Sequence, residues 1–353
     1  MADFNYIAPL ADGGVVTLEA DRRALGLKLW SGEVLNAYNE TLITGGKVRK
    51  VSINEGTSYQ FPVTSKVKGG FAKPGVALAQ DTTIQKERTI TVDDIMYASI
   101  FFPLQYDLVG HLNMRGEYAM QAGKVLARSE DVMNFCNIRK AANTAAIIAG
   151  DSGHSAGSII TSDLFQNDAG VAGAADDNAV AMAIFNALFA AAELYDDKDI
   201  PDGQRFCILR PHEYYILIRA IQSGGFALSN KDYMSQPANL NQPGLPPIAG
   251  FDIMKSTLLP TTALAGTGAS SDTDPNTLVA SPLHVNHETD FSKTVGLIWT
   301  PECVGSVVKQ GIATKMEDQL THLGQLLVSY MLVGGGVLRP DSAIELSLDT
   351  LTN

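Results

Sequence analysis

The chain has 353 residues, 45% of them hydrophobic, and a formal net charge of −12, which is enough apolar material for packed cores in two domains at roughly 150 residues each. The acidic balance excludes a protein that grips nucleic acid through its phosphates, which takes a basic footprint. Three scattered cysteines, Cys136, Cys207 and Cys303, give neither a disulfide framework nor a zinc spacing.

No basic segment followed by an apolar stretch opens the sequence, and the longest apolar runs, at 182–194 and 326–333, fall short of the ~20 residues of a membrane span. No membrane is therefore expected as a partner. Residues 1–24 are polar and turn-rich and predict an arm. From Leu25, apolar residues at 27, 29, 30, 34, 35 and 38 predict a short amphipathic helix, so that 1–45 reads as arm plus helix. Val51 and Ile53, then Tyr59, Phe61 and Val63 after a glycine turn, alternate as strand, turn and strand, with the second leg ending at Pro62. Gly69-Gly70 and Pro74-Gly75 interrupt the chain beyond that leg, and 87–102 resumes alternation as one long strand.

Residues 46–88 thus read as a hairpin excursion. Its charge is distinctive: eight basic residues (Lys47, Arg49, Lys50, Lys66, Lys68, Lys73, Lys86, Arg88) against three acidic ones give +5, leaving −17 for the remainder. Segment 168–202 carries eight of those acids against Lys198 alone. A basic extension on an acidic body can dock on a neighbouring body, because complementary fields orient association.

From Asn113, a good N-cap, to Ala149 there is no proline, and Tyr118, Ala119, Ala122, Val125, Leu126, Val132, Met133 and Cys136 recur at three-and-four spacing. That predicts a helix of roughly 54 Å, too long for one compact core to cover. Glu117, Lys124, Arg128 and Asp131 fall off the apolar stripe, with Arg128 and Asp131 spaced to pair on a wet face. No sustained charge code flanks the stripe, and Gly116 and Gly123 each cost about 1 kcal/mol relative to alanine. The helix therefore reads as a spine laid across a broad sheet rather than a coiled-coil arm.

Residues 150–176 read as loop and 178–194 as a second amphipathic helix, closed by Pro201 and Gly203. A buried strand at 205–210, a helix opened by Pro211 and a strand at 250–256 give an α/β or α+β second unit. An insertion loop over 261–294 is followed by strands, the last two separated by a glycine break at 334–336.

Four catalytic or metal patterns compete with a structural reading. Gly150-Asp151-Ser152-Gly153 with His154 copies the string around a serine-protease nucleophile, but an adjacent histidine rarely reaches back and the β-barrel context is missing. His284, His287, Glu288 and Asp290 hold metal-ligating chemistry without a helical HExxH pattern and read as a solvated loop. Asp272, Asp274 and Asn276 begin like a calcium loop whose sixth and twelfth positions, Thr277 and Leu283, fail it. Gly266 and Gly268 lack the third glycine of a dinucleotide fingerprint. No cofactor is expected, and a serine hydrolase on Ser152 and a soluble α/β ligand-binding protein stand as the alternatives.

The succession 27–43, 56–63, 90–102, 113–127, 206–217, 296–308 and 334–346 resembles, in order, the major capsid proteins of short-tailed podoviruses of the autographivirus type. That resemblance implies an α+β, HK-ninety-seven-type capsid fold with an N-terminal arm, an extended loop at 46–88, a peripheral domain at 89–149 plus 306–348 and an axial domain at 150–305, with 349–353 as a tail. It implies a non-enzymatic subunit that assembles as hexamers and pentamers into an icosahedral shell around double-stranded DNA. The implied partners are a separate scaffolding protein and a portal at one vertex, and the shell would be assembled in the host bacterial cytoplasm. The residues before Leu25 leave no room for a fused scaffold. Lys66, Lys68, Lys73, Phe71, Arg49 and Lys50 are the expected inter-subunit contacts, and deletion of 56–75 is expected to leave a folded subunit that cannot close shells.

Overall fold

The computed structural model describes residues 18–75, 77–78, 83–103, 114–150, 153–165, 177–201, 203–222, 247–264 and 282–348. Its elements in order are α1 (Leu18–Thr41), β1 (Arg49–Ser52), β2 (Ser58–Thr64), β3 (Gln85–Thr91), β4 (Met96–Pro103), α2 (Met114–Ala142), β5 (Ser158–Thr161), α3 (Asp177–Asp197), β6 (Arg205–Leu209), α4 (Pro211–Gln222), β7 (Phe251–Lys255), β8 (Ala263–Leu264), β9 (Thr289–Asp290), β10 (Thr294–Trp299), β11 (Val304–Gln319), β12 (Gly324–Val337) and β13 (Ala343–Ser347). Two principal sheets result, one of four strands in the order β1-β11-β12-β4 and one of five in the order β5-β13-β10-β6-β7.

The five-stranded sheet is mixed: β5 runs parallel to β13 and β6 parallel to β7, while β10 is antiparallel to both of its neighbours. Strands β6, β10 and β13 are buried along their whole length, so both faces must be covered. One face packs on α3 and α4 through Ile184, Leu188, Leu217, Leu209, Ile298 and Ile344. The other meets α2, where Phe135, Cys136 and Ile138 share a core with Phe206, Leu297 and Trp299. The same core continues into Val304, Met331 and Val333 of the four-stranded sheet. The spine therefore lies across both sheets, as its periodicity predicts.

Its details depart from the sequence reading. The helix has 29 residues, roughly 44 Å at the α-helical rise, and ends at Ala142 rather than Ala149. Asn143 Nδ2 donates back to Arg139 O at 3.1 Å and forward to Glu345 Oε2 at 2.8 Å, while Gly157 N donates to Thr144 O at 3.0 Å, so the last turn is capped by β-structure. Asn113 lies outside the described residues.

Asp131 is buried rather than wet, and Arg128 alone of that pair is exposed. The carboxylate accepts from Ile43 N at 3.0 Å, Thr44 N at 2.9 Å and Thr44 Oγ1 at 2.7 Å, which terminates α1 against the spine. Burial pushes the Asp131 carboxyl above its ordinary value, against the downward pull of these hydrogen bonds. Its neighbour Glu130 is fully buried too, accepts from the Tyr38 hydroxyl and pairs with Lys50 Nζ at 2.5 Å. Gly123 allows the crossing, because a Cβ there would lie 2.4 Å from Val34 O of α1.

Three further differences concern strands. The expected single strand at 87–102 is two, because β3 pairs with β2 whereas β4 pairs with β12, and the chain turns between them at Asp93 and Asp94. The expected loop at 150–176 contains β5, an edge strand too short for its alternation to stand out. The expected break at Gly334–Gly336 is continuous strand, β12, joined to the strand expected before it. The glycines serve close approach: a Cβ on Gly334 would lie 2.1 Å from Thr91 O, and one on Gly335 would lie 2.5 Å from Asn137 Nδ2 of the spine.

The chain crosses between the sheets twice at one place. After β10 it passes to β11, and after β12 it returns to β13, so Ala343–Ser347 belongs to the five-stranded sheet. Leu338 N and Arg339 N both donate to Cys303 O, at 2.9 and 3.1 Å, and Arg339 pairs with Asp341 at 2.8 Å and Glu302 at 2.9 Å.

Candidate inter-subunit interface

The basic excursion is a two-stranded ribbon, β2 against β3, in register from Ser58↔Thr91 to Thr64↔Gln85. Its second leg thus continues past Pro62 to Thr64. Strand β1 does not take part; it runs parallel to β11 at the edge of the four-stranded sheet. The ribbon's root belongs to the subunit's own core: Phe61 and Ile90 are buried against Ile53, Val307 and Leu338. Further out, Lys86 Nζ donates to Ile147 O at 2.8 Å, His154 Nε2 lies 3.0 Å from Thr64 O, and Lys66 Nζ meets Asp199 Oδ2 at 2.6 Å. That last contact holds the Asp199 carboxyl below its ordinary value, through the hydrogen bond and then the charge of Lys66. Both groups are well exposed, so the pair contributes little to stability.

Beyond Lys66 the apolar side chains of the described part of the tip stand exposed. Phe71 is fully exposed, Val67 and Leu78 are 74% and 73% exposed, and Lys68 and Lys73 flank them. Apolar side chains standing in solvent on an irregular loop, beside lysines and with no acid described among them, have the composition of a surface that another body covers.

The six residues expected to touch neighbours therefore divide. Lys66, Lys68, Phe71 and Lys73 lie in the irregular segment beyond Thr64, where the paired ribbon ends. Arg49 and Lys50 sit on β1 and are engaged within the chain, Arg49 over the Phe61 ring at 5.3 Å and Lys50 on Glu130.

Because Phe61 is core, deletion of 56–75 does more than remove a reaching finger, and the expectation of a folded subunit after that deletion is corrected. Phe61→Ala is expected to cost about 3–5 kcal/mol by cavity formation, read as a lowered denaturation midpoint, whereas replacing only 67–78 by a short glycine-serine link should leave that midpoint unchanged. Equal midpoints for Phe61→Ala and wild type would contradict this division of root from tip.

The chemical alternatives find no support. Asp151 and Ser152 lie outside the described residues, and His154 faces Thr64 O of the ribbon. Residues 266–268 and 272–277 also lie outside. His287 is buried rather than solvated: Nε2 lies 2.6 Å from Asp93 Oδ2 and Nδ1 lies 3.2 Å from Asn137 Oδ1. His284 contacts Asp94 at 3.3 Å. The histidines thus tie the β3–β4 junction to the spine, and among the described residues no group of three or more His, Cys, Asp or Glu is placed to hold a metal ion. The signal that was missed is the Asp93-Asp94 pair, which interrupts an otherwise strand-like run.

Helix α3 adds a second unusual surface. By length and composition it is apolar enough to span a membrane, yet its inner face, Val180, Ala181, Ile184, Ala187, Leu188 and Ala191, is packed on the five-stranded sheet. The opposite face carries exposed Met182 and Phe189, with the Phe185 ring tilted against Phe189 at a centroid distance of 4.9 Å.

Known proteins show the same organisation. A family profile described as Gp10A-like major capsid protein matches residues 60–347. The major capsid protein of Escherichia phage T7 is 24% identical over 340 residues, covering 94% of each chain. That of Enterobacteria phage T3 is 23% identical over 332 residues, covering 92% of this chain and 91% of the relative. Among solved structures, the capsid of Cyanophage P-SCSP1u superposes with a TM-score of 0.67 at 25% identity, and the mature capsid of bacteriophage PhiM1 with a TM-score of 0.67 at 21% identity, each over 88% of both chains. The chain belongs to the Gp10A-like family of major capsid proteins, with the HK-ninety-seven-type fold, and is a non-enzymatic structural subunit of a phage capsid shell of the autographivirus type.

Proposed function

We propose that copies of this subunit assemble as hexamers and pentamers that close an icosahedral shell around packaged double-stranded DNA. Assembly takes place in the host bacterial cytoplasm with a separate scaffolding protein, and a portal replaces one capsomer at a vertex. Contact with DNA is non-specific, as a net charge of −12 leaves no basic footprint for phosphates. The arm and first helix occupy 1–45 and the extended loop lies within 46–88. The four-stranded sheet and the spine form the peripheral domain, over 89–149 and 306–348. The five-stranded sheet forms the axial domain over 150–305, with Ala343–Ser347 crossing back to complete it.

The observation that carries this reading is the ribbon tip, on which Phe71 stands wholly in solvent between Lys68 and Lys73. A lone molecule gains nothing from that arrangement, whereas a neighbour that covers the phenyl ring recovers on the order of 2 kcal/mol of burial at each such contact. The lysines add orientation and a dependence on ionic strength.

Charge reversal at Lys66, Lys68 and Lys73 together is expected to abolish shell formation or to shift its salt dependence, with the subunit's denaturation midpoint unchanged. Negative-stain micrographs and sedimentation across a salt series provide the readout. Wild-type assembly that proceeds equally at low and high salt would remove the electrostatic half of the proposal.

A further inference from the structure

We infer that Asp199 and Gly153 form a latch that seats Lys66 of the same chain, and so fixes the direction in which the loop beyond β2 leaves the body. Its part in shell formation rests on the reading that copies assemble; the latch itself is a property of the single chain.

Asp199 occupies a position that local physics gives to another residue. Helix α3 closes with two backbone bonds, Ile200 N to Tyr195 O and Asp199 N to Asp196 O, each 3.0 Å. That closure puts the residue after the helix in the left-handed region and favours glycine there. Asp199 holds a φ of +55°, and Tyr195 and Ile200, buried in one core, complete the motif. An anion at this end of a helix also meets the negative pole of the aligned peptide dipoles. Two local terms thus oppose an aspartate, and a strained backbone position of this kind points to a use for the side chain. The contact its carboxylate makes is with Lys66 Nζ, at 2.6 Å.

The lysine is seated along its stem as well as at its head. A Cβ on Gly153 would come within 2.6 Å of Lys66 Cγ and 2.9 Å of Cδ. Gly153 has no positive φ, so the passage of the lysine, and not the backbone, calls for glycine there. Next to it, His154 Nε2 donates to Thr64 O at 3.0 Å. The two legs of the loop are still joined at this level, where Ser65 N donates to Ile84 O and Ile84 N to Ser65 Oγ, each at 3.0 Å. Holding Lys66 therefore holds both legs.

The excursion is thus fixed at two places. Its root is set in the core through Phe61 and Ile90, and its outer end rests on the latch, which removes the swing that a single attachment leaves. The side chains of Lys66 and Asp199 are 49% and 80% exposed, so salt can open the pair without disturbing the core.

Asp199→Gly tests this, because it removes the carboxylate while supplying the residue that the backbone conformation prefers. The denaturation midpoint of the full chain should stay at or above that of the wild type. Trypsin cleavage after Lys66 in unassembled subunits, which needs the lysine side chain released, should rise up to about fivefold, the scale of a lost surface pair read through the open population. Cleavage after Lys86, on paired strand β3, should not change. A lowered midpoint would make Asp199 a structural residue and overturn the inference, as would an unchanged rate after Lys66. Gly153→Ala displaces the lysine from its other side and should raise the same cleavage, and the two changes together should do no more than either alone, because they break one contact. Additive effects would overturn the shared latch. Closed shells of Asp199→Gly should fall to a minority beside open or irregular assemblies in micrographs; a normal yield would overturn the latch's role in assembly. Wild-type protein that forms no shells would overturn the assembly reading instead, and the cleavage after Lys66 would still decide the latch.

Discussion

Glu345→Ala is expected to cost the subunit about 3–5 kcal/mol, the effect of removing one partner from a buried ion pair. That is a large share of the total stability of an ordinary domain. Glu345 sits on β13, 1% exposed, and accepts from Arg139 Nε at 2.9 Å, from Asn143 Nδ2 at 2.8 Å and from the Thr294 hydroxyl. Arg139 also lies over the Phe291 ring at 5.5 Å and donates to Thr294 Oγ1 at 2.9 Å. The carboxylate therefore joins the end of the spine to two strands of the five-stranded sheet. Without it the fully buried Thr294 hydroxyl loses its acceptor and the half-buried Arg139 guanidinium loses its counter-charge. Denaturant unfolding of the variant and wild type checks this, and a midpoint shift equivalent to less than about 1 kcal/mol, the scale of a surface pair, would contradict it.

Gly334→Val should be as damaging by a different route. A Cβ at that position meets Thr91 O at 2.1 Å and Val92 Cα at 2.8 Å, both backbone atoms that no side-chain rotation can clear. Strand β3 must then lift from β12, and with it the root of the ribbon. The expected cost is at least about 1–3 kcal/mol of overpacking, together with faster proteolysis within 56–91 and loss of closed shells. Gly311→Ala supplies the control, since nothing lies within 4 Å of its added Cβ and a surface change of that kind stays within about 0.5 kcal/mol. Equal behaviour of the two variants would show that β12 tolerates side chains where the fold places none.

The same residues explain what could be read from sequence. Period and punctuation located α2, α3, α4, β6 and β7, because each buries a face whose spacing repeats or is bounded by proline and glycine. The ribbon was legible as alternation on either side of a glycine-rich tip, and its charge as a simple count. What failed was whatever depends on a distant partner. Asp131 looks like a solvent-side charge until Thr44 and Ile43 arrive to satisfy it. Gly334, Gly335 and Gly336 of β12 look like a break until β3 and the spine are seen to press on them. Phe61 looks like the finger's own residue, yet its neighbours Val307 and Leu338 lie more than two hundred residues away along the chain.

Cryo-electron microscopy of the purified, full-length protein tests the central claim most directly. Closed shells are expected, in which each ribbon tip runs out of its own subunit and ends on an adjoining copy. A uniform population of single chains across protein concentrations and salt conditions, with Phe71 lying against its own body, would contradict it.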